Sequence, residues 1–154
     1  MKNFKNIILT IILIFIIGCG YVPLKTSKNT NFFIDELVVD GDRQLSNLIT
    51  NKLKKYKKFD QDKKEIKLKI LKKYQKIIAN KNSSGDPQNY KLILSINIEL
   101  ISDEKNKVNE NFERIEYLTA QSKKLNEIEE EKSKKKDLAN LISEDIIFFL
   151  INNN

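Results

Sequence analysis

The segment Tyr90–Leu100, YKLILSINIEL, decides the fold of this chain. Its alternate positions are all apolar: Tyr90, Leu92, Leu94, Ile96, Ile98 and Leu100. Lysine, serine, asparagine and glutamate occupy most of the positions between them. Successive side chains of a β-strand point to opposite faces, so this period of two predicts a strand with one buried face. Such alternation is typical of an antiparallel sheet that rests on a core by one face only.

Two further strands are predicted on either side of this segment. Ile66–Ile78 opens with isoleucine and leucine alternating with lysine, which indicates a half-buried strand. Val108–Gln121 alternates less regularly, as an edge or bulged strand does. The polar segments Asn80–Asn89 and Ser102–Lys107 predict the connecting turns. Strands joined by short polar loops pair antiparallel, so we expect a three-stranded meander.

Another strand and a helix precede the meander. Phe32–Val39 is dense in aromatic and β-branched residues and predicts a strand that ends at Asp40-Gly41-Asp42. Asp42 is the expected N-cap of the helix that follows. Apolar residues then recur at helical spacing, at Leu45, Leu48, Ile49, Leu53 and Tyr56. We expect this helix to end near Lys57 or Lys58.

A long helix is predicted from Lys123 to Ile151. Its first half is almost entirely charged, which indicates a solvent-exposed face supported by acid-before-base pairs such as Glu130 and Lys134. Its second half is amphipathic and is expected to enter the core. The apolar residues of that half are Leu138, Leu141, Ile142, Ile146, Phe149 and Leu150.

The order of elements is therefore β-α-β-β-β-α. It predicts the α+β class: a two-layer sandwich in which two helices cover one face of a four-stranded, mostly antiparallel sheet. We expect a single α+β domain over residues 32–151 and a tail at 152–154. The other face of the sheet carries lysines, Asn97 and Glu99, so it should remain wet or be covered by a partner.

The first residues, MKNFKNIILTIILIFIIGCGYVPL, predict an exported lipoprotein. A basic start and an apolar run at 7–17 match a secretory signal, since a bilayer crossing needs roughly 20 helical residues. Ile16-Ile17-Gly18-Cys19 resembles a bacterial lipobox, in which the cysteine is acylated with chains such as palmitate. We therefore expect a signal peptide at 1–18, lipidation at Cys19 and a tether over 19–31. The alternative is that Cys19 simply closes a signal or short anchor helix.

The composition of the mature chain argues against several classes of catalytic and metal-binding protein. There is no histidine, Cys19 is the only cysteine and glycine is scarce, so thiol, imidazole and phosphate-loop chemistry is missing. We expect no enzyme, no metal and no cofactor. Loss of Lys2 and Lys5 with the signal lowers the formal charge from +7 to +5. An exported protein meets anionic lipid rather than nucleic acid, although a lysine-rich surface could equally reflect an AT-rich genome.

The start of the mature chain and the order of elements resemble a known family. Cys19-Gly20-Tyr21-Val22-Pro23-Leu24 is similar to the CGFxPL start of the lipopolysaccharide-assembly lipoproteins of the LptE family, above all its alphaproteobacterial branch. The strand and leucine-striped helix, the meander and the terminal helix agree with that family. Tyr117 and the helix residues Ala139, Ile142, Ile146, Phe148 and Phe149 also resemble it.

The resemblance implies an outer-membrane lipoprotein on the periplasmic side that plugs the LptD-type β-barrel and helps to deliver lipopolysaccharide. Gly20 after the cysteine, in place of aspartate, also favours the outer membrane. The lysines that we list as hypothetical contacts with lipopolysaccharide are Lys72, Lys73, Lys76 and Lys81; the alternative is an ordinary lysine-rich strand face. Two other readings stay open: an auxiliary lipoprotein of an ABC-type phospholipid-transport system, and a purely structural envelope lipoprotein.

Overall fold

The structure, a computed structural model, describes residues 30–103 and 106–153. The predicted signal peptide, Cys19 and most of the tether lie outside the described residues. The strands are β1 (Phe32–Asp40), β2 (Lys64–Lys81), β3 (Pro87–Asp103) and β4 (Asn106–Thr119). The helices are α1 (Arg43–Leu53), extended by a 3-10 turn at Lys54–Tyr56, and α2 (Lys124–Asn152). The order confirms the predicted α+β class.

The four strands form one mixed sheet in the order β1-β2-β3-β4. β2, β3 and β4 are antiparallel, as predicted, whereas β1 pairs with β2 in parallel. The parallel pair arises because α1 carries the chain back to the end of the sheet where β1 began. The side chain of Asp42 caps α1 as predicted, since its Oδ1 accepts a hydrogen bond of 3.0 Å from the backbone N of Leu45.

The hairpin between β2 and β3 is tighter than the sequence predicts. The ladder runs to Lys81 and resumes at Pro87, so the expected loop at 80–89 shrinks to residues 82–86. Asn82 closes it, because its Oδ1 accepts from the backbone N of Ser84 at 3.0 Å and of Asp86 at 2.8 Å. These local hydrogen bonds allow strand pairing to continue to the mouth of the turn.

A bulge in β1 keeps its apolar residues on the core side. The register with β2 shifts between Ile34 and Glu36. Phe32 and Ile34 lie in the core before the shift, and Leu37 and Val39 pack against it afterwards. Without the extra residue, a period of two would turn Leu37 and Val39 to the opposite face.

The sheet has two halves of different construction. β1 ends opposite Leu71, so four strands and both helices enclose the proximal half, which contains residues 64–71 of β2. The distal half has only β2, β3 and β4, and the first half of α2 lies over it. Two links hold the rest of α2 to β4: Phe149 meets the ring of Phe112 edge-on, and Arg114 binds Asp145 through two hydrogen bonds of 2.7 and 2.5 Å.

Gly41 makes the turn from β1 to α1 possible. Its φ is +107°, and a Cβ built on it would lie 3.0 Å from the carbonyl oxygen of Lys72. Gly85 in the β2–β3 hairpin also has a positive φ, +89°, but a Cβ there would meet nothing within 4 Å. A side chain at Gly85 would therefore meet only backbone strain, whereas a side chain at Gly41 would meet both backbone strain and a steric conflict.

We expect Gly41→Ala to destabilise the chain more than Gly85→Ala. Both substitutions incur the left-handed backbone cost of about 1–2 kcal/mol. Only Gly41→Ala must also push β2 and the end of β1 apart. Urea unfolding of the two variants measures the difference, and equal losses would contradict this account of the turn.

Candidate functional site

The four lysines expected to contact lipopolysaccharide do not form one cluster. Strand alternation places Lys72 and Lys76 on the inner face of the sheet, under the helices, and Lys73 on the outer face. Lys81 is exposed at the end of β2, beside the hairpin. Nearness in sequence does not place these lysines on one face, because successive side chains of a strand point to opposite sides of the sheet. Their contact with lipopolysaccharide stays a prediction.

Lys72 ties β1 to α1. Its Nζ donates a hydrogen bond of 2.8 Å to the carbonyl oxygen of Asp40 and another to the hydroxyl of Ser46. Burial lowers the pKa of Lys72, and the charges of Asp42 and Asp40 oppose that shift. In this position the ammonium group joins the end of a strand to the first turn of a helix.

Lys76 lies between the distal sheet and α2. Its Nζ is 2.9 Å from Oε1 of Glu127, 2.9 Å from Oε2 of Glu131 and 4.2 Å from the ring centre of Tyr90. Burial alone would lower the pKa of Lys76, but the hydrogen bonds to Glu131 and Glu127 outweigh it and leave the pKa above its ordinary value. The lysine therefore stays charged and paired.

Glu127 is the most deeply buried acidic group among the described residues, with 3% of its surface exposed. It accepts hydrogen bonds from Lys124 Nζ at 2.6 Å, from Lys76 Nζ and from the backbone N of Gln121 at 3.4 Å. These donors, Lys124 first, lower the pKa of Glu127 to about 2. Because every donor points at one carboxylate, its negative charge is stabilised out of contact with water.

Glu131 extends the same network toward β2. It accepts a hydrogen bond of 3.1 Å from the hydroxyl of Tyr74 and pairs with Lys135 at 3.0 Å. Burial raises the pKa of Tyr74, and the neighbouring charge of Glu131 raises it further. We call the set Tyr74, Lys76, Lys124, Glu127, Glu131 and Lys135 the ionic layer.

The ionic layer corrects one sequence prediction. The first half of α2 was expected to be a solvent-exposed face, and Glu129, Lys132 and Lys136 are indeed exposed. Glu127 and Glu131 instead face the sheet. A signal for this was present: counting back from buried Leu138 in steps of seven and four residues reaches 131 and 127. Because Glu127 and Glu131 are charged, the hydrophobic pattern did not include them in the buried face of α2.

We expect Lys76→Met to lower the free energy of unfolding by about 2 kcal/mol, because it leaves Glu127 and Glu131 without a shared cation. Lys73→Met is the control, because it makes the same substitution on the outer face of the same strand, three residues earlier. It should alter stability by no more than about 0.5 kcal/mol. Chemical denaturation of both variants tests this, and a small loss for Lys76→Met would show that the ionic layer does not hold α2 in place.

Glu127→Gln should have a pH-dependent effect. The pKa of Glu127 is about 2 in the folded chain against an ordinary 4.5, so its stabilisation is complete above pH 4.5 and is lost as the pH falls toward 2. The difference in unfolding free energy between wild type and variant should be level from about pH 6 to about pH 8 and then shrink in acid. Exposed Glu129→Gln is the control, and a difference that grows in acid would contradict the assignment.

The outer face of the sheet is open, and strand pairing arranges its side chains in rows across β2, β3 and β4. Leu71, Asn97 and Asn111 form one row, and Lys73, Ser95 and Glu113 form the next. Gln75, Ile93 and Ile115 follow, and then Ile77, Lys91 and Tyr117. Two polar rows therefore stand beside two rows in which apolar side chains predominate.

The two polar rows line a shallow groove of about 320 Å³. Cross-strand hydrogen bonds order its floor. The amide of Asn97 donates to Oδ1 of Asn111 at 2.8 Å, and the hydroxyl of Ser95 donates to Oε2 of Glu113 at 3.1 Å. The groove thus offers amide, hydroxyl, carboxylate and ammonium groups held on a rigid sheet.

Large apolar side chains lie exposed next to the groove. The exposed fraction is 44% for Ile77, 39% for Ile115 and 60% for Tyr117. We use the name open face for the four rows together. Sequence analysis anticipated a wet or partner-covered face, and the apolar rows are the part of it that favours a partner.

No helix within residues 30–103 and 106–153 is both long and apolar enough to cross a membrane. The same residues contain no cluster of acidic side chains suited to hold a metal ion.

Solved structures of bacterial lipoproteins share this fold. Rare lipoprotein B from Shewanella oneidensis matches with a TM-score of 0.62 and 14% identity, over 78% of this chain and 93% of that one. Lipoprotein B from Nitrosomonas europaea matches with a TM-score of 0.61 and 12% identity, over 83% and 88%. A minor lipoprotein from Acinetobacter baumannii gives 0.56 and 12%, over 80% and 93%.

No protein-family model and no curated protein sequence matches the chain. The similarity is therefore one of three-dimensional structure and extends over most of each solved chain. This chain has the fold of these bacterial lipoproteins.

Proposed function

We propose that this protein is an outer-membrane lipoprotein of the LptE type, anchored through Cys19, that assists lipopolysaccharide transport as the plug of an LptD-type β-barrel. One observation carries the proposal. The domain has the fold of solved proteins named lipoprotein B, and it follows a lipobox and a CGYVPL segment similar to the start of LptE proteins. The N-terminal segment supports the lipid anchor and the resemblance to the LptE family, and the fold shared with solved lipoproteins is compatible with both.

The surface supports a place inside a barrel. Barrel lumens are polar, so a plug must present a hydrophilic exterior. Here the hydrophobic core lies between the sheet and two helices, and most of the exposed residues are polar or charged, apart from apolar side chains such as Ile115 and Tyr117. The long sheet is stiffened by cross-strand pairs, as a rigid insert requires.

The proposed role is binding and guidance without covalent chemistry. A domain with a formal charge of +5 after signal removal attracts the phosphate groups of lipopolysaccharide through charge-assisted contacts. Attachment through several acyl chains keeps the domain at the membrane where that lipid is delivered, since each buried CH2 contributes roughly 0.8 kcal/mol.

Affinity purification from detergent-solubilised envelopes tests the proposal. A tagged full-length chain should co-elute with a heat-modifiable outer-membrane barrel in near-equimolar amount and should incorporate labelled palmitate. Cys19→Ala should lose the label, remain unprocessed and leave the outer-membrane fraction, because the thiol is the acylated group.

Other partners would contradict the proposal in different ways. Inner-membrane transporter subunits in place of a barrel would favour the phospholipid-transport alternative. The absence of any stoichiometric partner would favour a structural envelope lipoprotein. Labelled palmitate on Cys19→Ala would remove the basis for anchoring at that residue.

A further inference from the structure

We propose that the distal part of β2 receives an extended acidic segment of another protein as an additional β-strand. The place for this strand is the side of residues 72–81 that is turned away from β3, which we call the free edge. Three features of the free edge carry the inference: its backbone groups, the exposed apolar side of α2 above it, and its charge. They hold whether or not the protein has the role proposed above.

The backbone of the free edge offers hydrogen-bonding groups to a further strand. β1 stops about halfway along β2, whereas β3 pairs with β2 almost to its end. The carbonyl oxygen of Lys72 points away from β3, because a Cβ built on Gly41, just after β1, would lie 3.0 Å from it. Backbone groups alternate in direction along a strand, so those of Tyr74, Lys76 and Ile78 share that direction. Among the residues that the structure describes, no strand pairs with these three positions on that side.

One side of α2 stands above the free edge. Lys134 pairs with Glu116 of β4 at 3.7 Å and marks the side of the helix turned toward β4. On the other side, Nζ of Lys135 lies 4.3 Å from the ring centre of Tyr74 of β2. Ile128 precedes Lys135 by about two turns, so its side chain also lies on the β2 side.

This side of α2 is buried in the second half of the helix and exposed in the first. Eighteen residues make about five turns, so Ile128 is in line with Ile146, and Leu125 with Ser143. Ile146 and Ser143 have no exposed surface, in the half where α1 packs against α2. The exposed fraction is 52% for Ile128 and 67% for Leu125. A strand added at the free edge would lie beneath these apolar side chains and cover them.

Ile78 adds to the same apolar surface. Hydrogen bonds join Tyr74 to Glu131 and Lys76 to Glu127, so two residues along β2 correspond to four along α2. The two steps match in length, at about 6.6 Å for the strand and about 6.0 Å for the helix. One more step places Ile78 opposite the start of α2. Its side chain is 46% exposed and adjoins the apolar side of the helix.

The charge around the free edge is positive. Residues 72–81 carry lysines and no acidic residue. The charged groups that border the edge are Lys72, Lys73, Lys76, Lys81, Arg43, Lys124, Lys132 and Lys135, against the carboxylates Asp40, Asp42, Glu127 and Glu131. Farther away, Lys91, Lys123 and Lys136 balance Asp86, Glu113 and Glu129. Basic groups therefore outnumber acidic groups with every nearby carboxylate counted.

These features define the segment that fits. In strand addition, main-chain hydrogen bonds give affinity and the side chains at alternate positions give specificity. The inward positions of the added strand would lie against Ile78 and Ile128 and should be apolar. The outward positions would lie beside Lys73 and should be acidic, because opposite charges on neighbouring strands attract. Residues 19–29 have lysine and no acidic residue, and β2 of a second copy is itself rich in lysine, so neither fits.

Hydrogen exchange of the full-length chain in detergent tests the inference. The probe is a synthetic peptide with blocked ends, in which glutamate and valine alternate over the length of the free edge. A control peptide has the same composition, with all glutamates before all valines. We expect the alternating peptide to slow exchange at the backbone N–H groups of Tyr74, Lys76 and Ile78, and the control peptide to leave it unchanged.

Two pairs of variants locate the site, with peptide affinity measured by fluorescence anisotropy. Lys73→Glu alters the free edge, and Lys69→Glu makes the same change on the same face of β2, beside β1. Ile128→Ser alters the apolar side of α2, and Phe148→Ser removes an exposed side chain near β4. We expect Lys73→Glu and Ile128→Ser to weaken binding by about fivefold or more, and the controls to stay within about twofold of wild type. Thermal unfolding checks that each variant is folded.

Four results would overturn the inference. The alternating peptide could leave exchange unchanged, or the control peptide could bind equally well and show general charge attraction. Without peptide, the N–H groups of Tyr74, Lys76 and Ile78 could be as protected as those of Gln75 and Ile77, which point to β3, so that part of this chain fills the edge. Protection that grows with protein concentration would identify a second copy as the occupant.

Discussion

The inner face of β2 changes from apolar to polar at Lys72. The way in which α1 and α2 cover the sheet depends on that change. Up to Ile70 the strand can be covered by hydrophobic side chains of α1 and α2. Beyond it, Tyr74 and Lys76 face inward while β3 alongside remains apolar through Leu94 and Leu92. The first half of α2 must therefore pack apolar side chains against β3 and supply negative charge to β2. Glu127 and Glu131 supply that charge.

The two halves of α2 are held to the sheet by different interactions. Its second half is held by a contiguous hydrophobic core, where Leu138, Ile142 and Ile146 have almost no exposed surface. Its first half is held by ion pairs and hydrogen bonds around Lys76. Replacing such a network by apolar residues of similar size is often neutral or favourable in measured cases, so geometry rather than net stability is its clearest contribution. Its contacts join Glu127 and Glu131 of α2 to Tyr74 and Lys76 of β2, which fits one alignment of the helix on the strand.

Period-two and helical patterns were enough to predict the elements, their order and most of the buried residues. They failed where local chemistry or distant pairing decided the outcome. The hairpin at 82–86 depends on one asparagine side chain that bonds two backbone groups, which a run of polar residues does not reveal. The parallel pairing of β1 follows from the path of α1. Burial of Glu127 depends on Lys76, 51 residues earlier in the chain, and no local pattern joins the two.

The early end of β1 at Asp40 has a consequence for self-association. Past Leu71, the side of β2 turned away from β3 faces no other strand within the described residues, so the strand presents backbone donors and acceptors along a bare margin. Bare margins invite a neighbouring chain to add its own strand, and lysine is a common deterrent. Lysines recur along this margin at 72, 73, 76 and 81. Lys73 and Lys81 are exposed, and an unwanted strand could pair with this margin only by approaching their charges.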